Sequence, residues 1–249
     1  MPTPFNHLVL ARAMLDAPFL SPAVREAVTA DEPAFLFGNI APDAQTVSGQ
    51  LREATHFFPV PLGDALPAHQ TLFACHPALA RPDQLPPAHT AFLAGYLCHL
   101  ELDQLWIADI FEPVFGPRQT WSDFRERLYL HNAFRAHWDA QDLPRLPAST
   151  AARLRAAEPA RWLPFVGDDI LRRWRDRVAE QLAPDGAART VEVFAERMGA
   201  DPRAFAALVN SPAEMERRVF ARVPPARLTQ FCADGLARCI ERLHAYFNM

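Results

Sequence analysis

The stretch AFLAGYLCHLELDQLW (residues 91–106) decides the fold of this chain. It lies within residues 87–108, the segment whose length and apolar content predict the longest buried helix of the sequence. His99 and Asp103 are four residues apart, so they share one face of that helix with large apolar side chains such as Trp106. The stretch predicts a buried helix that carries two polar side chains into the core.

The rest of the chain follows the same helical pattern. Residues 6–16 place His7 on an apolar face with members spaced three and four apart, and residues 33–41 form a short apolar helix that we expect Pro42 to end. Residues 46–66 are predicted to be loop with short turns. Further helices are predicted at 119–139, opening at Thr120 or Ser122, and near 160–182, 188–199, 202–209, 212–221 and 225–247.

No segment of useful length alternates as a strand does, so the sequence predicts an all-α fold. The simplest division is a helical domain over residues 1–142 and a C-terminal helical region over residues 151–249. A proline-rich hinge, LPRLPAST, separates them at residues 143–150. The pattern leaves open whether the two parts share one globule, and it gives no indication of the oligomeric state.

Composition excludes several classes of protein. The formal net charge is −4, every basic residue is arginine, and no basic block occurs, which argues against a nucleic-acid-binding protein. The four cysteines form no Cys-x-x-Cys pair, so a zinc ribbon or a dense disulfide framework is not expected. The first residues lack the features of a signal peptide, and no apolar run reaches the ~18 residues of a membrane span. We expect a cytoplasmic protein.

A buried Asp103 needs a partner, because burying an unpaired carboxylate costs several kcal/mol. No arginine lies within residues 88–108 to supply a local cation. A hydrogen bond to a neighbouring helix would satisfy it, and so would a metal ion. Asp43, which follows Pro42, and His56, in the sequence THFF, also lie where burial is expected. Each of them alone also fits a turn aspartate or a core histidine.

The combination is more informative than its members. Five ligand-type residues come from four separate segments, as a site in the core of a helical bundle requires: His7, Asp43, His56, His99 and Asp103. Imidazole nitrogens together with carboxylate oxygens form a ligand set that suits zinc. The sequence predicts that these side chains meet around a metal ion.

The segments HLVLARAML, AFLFGNIAPDAQ, REATHFF and AFLAGYLCHLELDQLW together resemble the zinc-dependent phospholipase C family, whose wider fold includes single-strand-specific nucleases. The resemblance covers about the first 110 to 140 residues. It depends on the order His, Gly-x-x-x-Pro-Asp, His and His-x-x-x-Asp, of which the last piece alone is weak. It implies a multi-helix bundle of that type, with extra C-terminal helices, and a zinc cluster that cleaves phosphodiesters.

Carried over residue by residue, the resemblance assigns metal binding to the five residues above. It makes Asp43 the candidate for a general base or a metal-bridging carboxylate. Arg52, four residues before His56, is a candidate for holding a phosphate group. The implied substrate is a small phosphodiester or a phospholipid head group.

The sequence departs from the family pattern twice. The family's secreted members use a processed N-terminal tryptophan as a ligand, whereas this chain begins Met-Pro. The family also has a later His-x-x-x-Glu, and its histidine predicts His131 as a sixth metal ligand. Position 135 is arginine, so Asp139 or His137 would have to substitute for the glutamate. We therefore expect one or two zinc ions, with three not excluded.

Three other interpretations remain open. A di-iron bundle needs two Glu-x-x-His motifs, and the chain has Glu53-x-x-His56 and Glu241-x-x-His244. A phosphohydrolase of the HD type needs an adjacent His-Asp pair, which is absent. The chain could also keep the helical core and a structural metal as a non-catalytic metal-binding or protein-interaction module.

Overall fold

A computed structural model describes residues 1–121, 123–183 and 188–249, and within these ranges the chain is helical and contains no β-strand. The all-α prediction is therefore confirmed. The α-helices of the described residues, in chain order, are α1 Pro4–Asp16, α2 Pro22–Thr29, α3 Glu32–Gly38, α4 Gln45–Ser48, α5 Glu53–His56, α6 Ala68–Cys75, α7 Pro87–Trp106, α8 Phe124–Asp142, α9 Thr150–Ala156, α10 Asp168–Gln181, α11 Thr190–Met198, α12 Pro202–Val209, α13 Pro212–Met215 and α14 Pro225–Phe247.

Short segments of other helical types connect them. Four are 3₁₀ turns, at Ala41–Ala44, Pro77–Ala80, Pro82–Gln84 and Leu143–Arg145. Two are π-helical, and these extend α7 and α13 without a break: Ile107–Phe115 and Glu216–Phe220.

Helix α7 lies at the centre of the molecule. Sixteen of its twenty residues are buried, and Phe92, Tyr96 and Trp106 are among the largest fully buried side chains. It packs against α3 and α14 most extensively and also against α1, α2 and α6. A helix that is apolar on nearly every side must lie inside a layer of other helices, which explains this central position.

Two glycines allow α3 and α7 to touch through their backbones. A Cβ atom on Gly38 would lie 2.0 Å from the Phe92 carbonyl oxygen, and one on Gly95 would lie 2.2 Å from the Phe35 carbonyl oxygen. Any larger residue at either position would force the two helices apart. The close crossing brings the end of α3 directly against the middle of α7.

The C-terminal helices cover the N-terminal ones. Helix α14 packs along α7, α9 packs on α3, and α10 packs on the 3₁₀ turn Ala41–Ala44. The indole N–H of Trp174 in α10 donates a hydrogen bond to the Ile40 carbonyl oxygen at 2.7 Å. One cluster of buried apolar side chains includes residues from both parts of the chain, from Phe5 to Tyr246.

Several helix boundaries differ from the predictions. The apolar helix predicted at 33–41 ends at Gly38, because the 3₁₀ turn begins at Ala41 and holds Pro42 in its first turn. The helix predicted from Thr120 or Ser122 begins at Phe124, where Asp123 caps it by accepting the backbone N–H of Arg125 at 3.0 Å. Position 122 lies outside the described residues.

The helix predicted near 160–182 begins only at Asp168. Arg161 has a φ of 56°, in the left-handed region, and Pro164 lacks a backbone donor, so neither favours a continuous helix. The predictions for 202–209 and 225–247 match α12 and α14.

Among the described residues, no helix is both long enough and apolar enough to span a lipid bilayer.

Candidate metal centre

Helix α7 positions the two residues at the middle of the site, His99 and Asp103, which are 0% and 1% exposed. The Nδ1 atom of His99 lies 2.8 Å from the backbone carbonyl oxygen of Asn39, just past the end of α3. Because a carbonyl can only accept, Nδ1 carries the hydrogen and Nε2 keeps its lone pair. The close crossing of α3 and α7 therefore sets His99 in the tautomer that a metal ligand needs.

His56 reaches the same point from the single-turn helix α5. The next residue, Phe57, has a φ of 61° and ends that turn. His56 Nδ1 lies 3.2 Å from the Arg52 carbonyl oxygen and 3.0 Å from the Thr55 hydroxyl. Its Nε2 lies 3.3 Å from Oδ2 of Asp103. Donation from Nδ1 to the Arg52 carbonyl again leaves Nε2 as the atom that faces the site.

His7 enters from the first turn of α1. Its ring stacks on that of His99, with centroids 3.9 Å apart and planes inclined by 13°. Its Nε2 lies 3.3 Å from Oδ1 of Asp103. Neither ring nitrogen of His7 makes a hydrogen bond, and both are buried. The imidazole is held by packing, and among the described residues its nitrogens have no hydrogen-bond partner.

Asp43 completes the group from the 3₁₀ turn Ala41–Ala44. Its backbone N–H donates to the Ile40 carbonyl oxygen at 3.2 Å, the same carbonyl that Trp174 contacts. Its Oδ1 lies 3.6 Å from Nε2 of His56, and its side chain is 17% exposed. Asp43 is therefore the carboxylate of the group that solvent reaches most readily.

Arg52 borders the site on another side. Its Nη2 lies 2.8 Å from Oδ2 of Asp103, and its guanidinium lies over the ring of Phe58, 4.4 Å from the centroid. The side chain is 16% exposed, while its Nε and Nη1 atoms are buried without hydrogen-bond partners. The guanidinium therefore keeps unused donors beside the histidine and aspartate group.

The five side chains form two overlapping sets of potential metal ligands. One is His7, His99 and Asp103, and the other is Asp43, His56 and His99; the ligand atoms within each set lie within 4.8 Å of one another. Buried polar atoms without partners are expensive unless something satisfies them, and His7 and Oδ1 of Asp103 are in that condition. A cation between these atoms would satisfy them, so the residues present fit a metal ion.

The pKa values of these side chains also favour the binding of a cation. Burial, and to a smaller extent the charge of His99, lowers the pKa of His7 to about 4, so its imidazole is neutral at pH 7. Burial alone would raise the pKa of Asp43, but His56 and His99 outweigh it and lower the pKa to about 2. The pKa of Asp103 is likewise well below its usual range, because the three histidines outweigh burial.

His99 differs, since its pKa is raised. Burial lowers it, but the adjacent Asp103 carboxylate outweighs burial. Metal ligation would require the imidazoles to be deprotonated, and in that state the group would carry two carboxylates and one guanidinium, an excess of one negative charge. A buried excess of negative charge is stabilised by a bound cation.

His131, the sixth predicted ligand, does not join the other five. Its Nε2 accepts a hydrogen bond from the indole N–H of Trp106 at 3.2 Å, and its ring packs against Phe111 and Phe115. Burial lowers the pKa of His131 well below its usual range. It belongs to neither set of potential ligands among the described residues. The structure gives it an aromatic environment of its own.

The two suggested substitutes are also elsewhere. Asp139 accepts hydrogen bonds from the hydroxyls of Thr3 and Thr190, and His137 Nε2 lies 2.8 Å from the Gln141 amide nitrogen. Neither belongs to a ligand set in the part of the chain that the structure describes.

The two Glu-x-x-His motifs do not form a common site. His244 accepts a hydrogen bond from the Ser21 backbone N–H at 3.1 Å, and it belongs to neither ligand set among the described residues. Glu53 and Glu241 are both exposed. The described residues therefore do not provide the four-carboxylate arrangement of a di-iron bundle.

Sequence reasoning missed the backbone carbonyl of Asn39, which orients His99. A carbonyl oxygen has no signature in the sequence, because every residue has one. It also missed Trp174, more than 130 positions from the Ile40 carbonyl that it contacts. The only feature of the sequence that pointed to the Asn39 carbonyl was the interruption of an apolar run by Gly38 and Asn39.

Comparison with known proteins gives no match: no family model, no curated protein and no solved structure is similar to this chain. The resemblance to the zinc-dependent phospholipase C family therefore remains a prediction.

Proposed function

We propose that this protein is a metal-dependent phosphodiester hydrolase, with zinc as the metal and phospholipase C-like chemistry. The observation that supports it is the convergence of three histidines and two aspartates from four segments, with buried polar atoms that lack other partners. Such a group in the core of an α-helical protein costs stability unless an ion binds it.

The positions of the oxygens suggest how ions would be held. Oδ1 of Asp103 faces His7, and Oδ2 faces both His56 and His99. A first ion would take His7, His99 and Asp103. A second would be held by the other set, Asp43, His56 and His99. One or two ions fit this ligand set.

Zinc in this position would supply Lewis acidity, which polarises a phosphoryl oxygen and lowers the pKa of water toward about 7. The chain's own residues determine where the substrate enters. Asp43 and Arg52 are the partly exposed members of the group, at 17% and 16%. A phosphodiester would therefore approach from the side of these two residues, with its charged oxygens near the guanidinium of Arg52.

The low pKa of Asp43, about 2, bears on its role. A carboxylate that is this weak a base binds and orients better than it accepts a proton at neutral pH. We therefore assign Asp43 to ligand binding and to hydrogen bonding with the attacking water. General base catalysis by Asp43, which the family resemblance allows, is the less favoured of its two roles.

The test combines metal content with activity. Protein purified without added metal or an affinity tag is analysed for bound elements, then assayed on phosphodiesters and phospholipids. We expect one or two zinc ions per chain, lost in His99→Ala, and hydrolysis lost with them. His137→Ala is the matched control, since that histidine lies outside the ligand sets. Absence of metal after attempted reloading, with the fold intact, would refute the proposal.

A second candidate function is a non-catalytic metal-binding module, and one observation favours it. The contact between Arg52 and Oδ2 of Asp103, at 2.8 Å, already occupies one oxygen of the central carboxylate. If that contact persists with metal bound, the coordination is closed and the metal is structural. One zinc ion per chain and no hydrolysis above the His99→Ala background would support this alternative.

A further inference from the structure

Asp43 also lines a small cavity. Its volume is about 180 Å³, and it lies between the N-terminal residues, α8, α10 and α11. Three arginines from these last three helices line it: Arg135, Arg177 and Arg197. We call this space the arginine cavity.

The three guanidinium groups have no carboxylate partners among the described residues. Arg135 donates to the amide oxygen of Asn132 at 3.0 Å and lies over the ring of Phe194, and its buried Nε has no hydrogen-bond partner. No ion pair involves Arg177 or Arg197 in the described ranges of the chain. Three cations at one cavity repel each other unless an anion is present.

The acids that face the same cavity do not cancel this charge. Asp43 belongs to the metal centre, where a bound cation would neutralise it. Asp139 is occupied by the hydroxyls of Thr3 and Thr190, and burial raises its pKa to about 6. With a metal bound, the positive charge of the three arginines therefore exceeds the negative charge left at the cavity.

Arg135 gives a second reason to expect an anion. Burial lowers the pKa of this guanidinium, and the aspartates at positions 139, 43 and 103 raise it only in part. The buried, unused Nε–H group of Arg135 is costly, and a phosphate or carboxylate oxygen would satisfy it.

We propose that the arginine cavity binds a second anionic group of the substrate. The substrate class is then a phosphodiester that also carries a phosphate monoester or a carboxylate, rather than one with a zwitterionic head group. This inference depends on the proposed function for its catalytic meaning, but the anion-binding site can be tested without catalysis.

The first experiment titrates full-length protein, with its metal bound, with inorganic phosphate in a calorimeter, and the difference between the wild type and the variants isolates the cavity from the metal. Arg177 and Arg197 are exposed, so the double variant Arg177→Gln/Arg197→Gln should fold normally. We expect it to bind phosphate about tenfold more weakly, which corresponds to the loss of one charge-assisted hydrogen bond. Arg203→Gln, an exposed arginine outside the cavity, should bind like the wild type.

Arg135→Gln is a second variant, which we expect to weaken phosphate binding by a similar factor, with urea unfolding to show that it is folded. Equal phosphate affinity in the wild type and the double variant would overturn the proposal, as would the absence of phosphate binding in the wild type.

The second experiment compares two p-nitrophenyl esters of thymidine phosphate, with and without a second phosphate on the sugar. We expect the extra phosphate to lower KM in the wild type and to have no effect on KM in the double variant. If neither ester is hydrolysed, the hydrolase proposal fails, while phosphate titration still decides whether the cavity binds anions. If both are hydrolysed with equal KM, the cavity does not select the substrate.

Discussion

Asp103 and Asp139 are both 1% exposed, yet their surroundings have opposite effects. Asp103 lies among three histidines and Arg52, and the histidines lower its pKa despite burial. Asp139 is bonded to two threonine hydroxyls, which do not outweigh burial, so its pKa rises to about 6. The first environment keeps a carboxylate anionic and offers nitrogen ligands, whereas the second satisfies a carboxyl group with neutral donors. Burial alone therefore does not mark a carboxylate as a candidate metal ligand; the neighbouring side chains do.

The largest expected effect comes from disrupting the contact between α3 and α7. This contact positions the residues around Asp103 but not those around Asp139. In Gly95→Ala the new Cβ would meet the Phe35 carbonyl oxygen at 2.2 Å, so α3 must move and take the Asn39 carbonyl away from His99. We expect a loss of about 3 kcal/mol in the free energy of unfolding, measured with urea, together with loss of metal.

Gly235→Ala is the control for that substitution. Its Cβ would meet the end of the Leu102 side chain at 2.6 Å, which can shift. The expected cost is below about 1 kcal/mol, since alanine also favours a helix. Equal costs at the two glycines would contradict the role given to the α3–α7 crossing.

The next largest effect is on metal affinity, which we expect to depend on Asp103 and not on a buried carboxylate elsewhere. Asp103→Asn removes a charged ligand, and we expect zinc affinity to fall about 100-fold or more, measured by competition with a chelating dye. Asp142→Asn is the matched control. Asp142 accepts from the Asn6 amide at 3.1 Å and pairs with Arg145 at 2.7 Å, and it belongs to no ligand set among the described residues. A similar loss of zinc affinity in Asp103→Asn and Asp142→Asn would show that Asp103 is not a specific metal ligand.

The third effect is a pH dependence that belongs to the Asp139 region. Its folded pKa of about 6 lies above the unfolded value of 3.8, so between these pH values the folded state binds more protons. The stability that this group contributes is therefore greatest below about pH 3.8 and is lost as pH rises through about 6.

Asp139→Asn should remove this dependence. Relative to the wild type, the variant should gain about 2 kcal/mol of stability between pH 4.5 and pH 7, measured by urea unfolding at both values. If the difference in unfolding free energy between the two proteins is the same at pH 4.5 and at pH 7, Asp139 is ionised as easily as an exposed carboxylate.

The smallest effect concerns His131, which the sequence groups with the metal ligands and the structure places beside Trp106. His131→Gln keeps an acceptor for the indole N–H, so we expect a cost of about 1 kcal/mol and an unchanged zinc content. Elemental analysis checks the second part. Loss of zinc in this variant would show that His131 contributes to metal binding.

Periodicity predicted the helices and the shared face of His99 and Asp103, because side-chain direction follows from position along a helix. The meeting of His7, Asp43 and His56 with them was inferred from burial and from the family resemblance. The sequence pattern placed the end of this helix at Pro42 rather than at Gly38, because Ile40 and Ala41 are also apolar.

The environment of position 131 was beyond sequence reasoning for a similar reason. A histidine on an apolar helix face can contact metal ligands or an aromatic cluster, and only the packing of α8 against the end of α7 decides between them. Likewise, Arg135 stands where the resemblance calls for a glutamate, and the structure turns it toward the cavity beside Asp43. The sequence alone does not show that direction.

The order of the ligands along the chain has a consequence for resistance to proteases. His56 and His99 lie at the two ends of a long segment that begins with exposed, proline-rich chain at residues 59–67. An ion held by both histidines would join these ends as a cross-link does and restrict the opening of the segment. Removal of metal should then make residues 59–67 the first place where a protease cuts, well before the helices unfold.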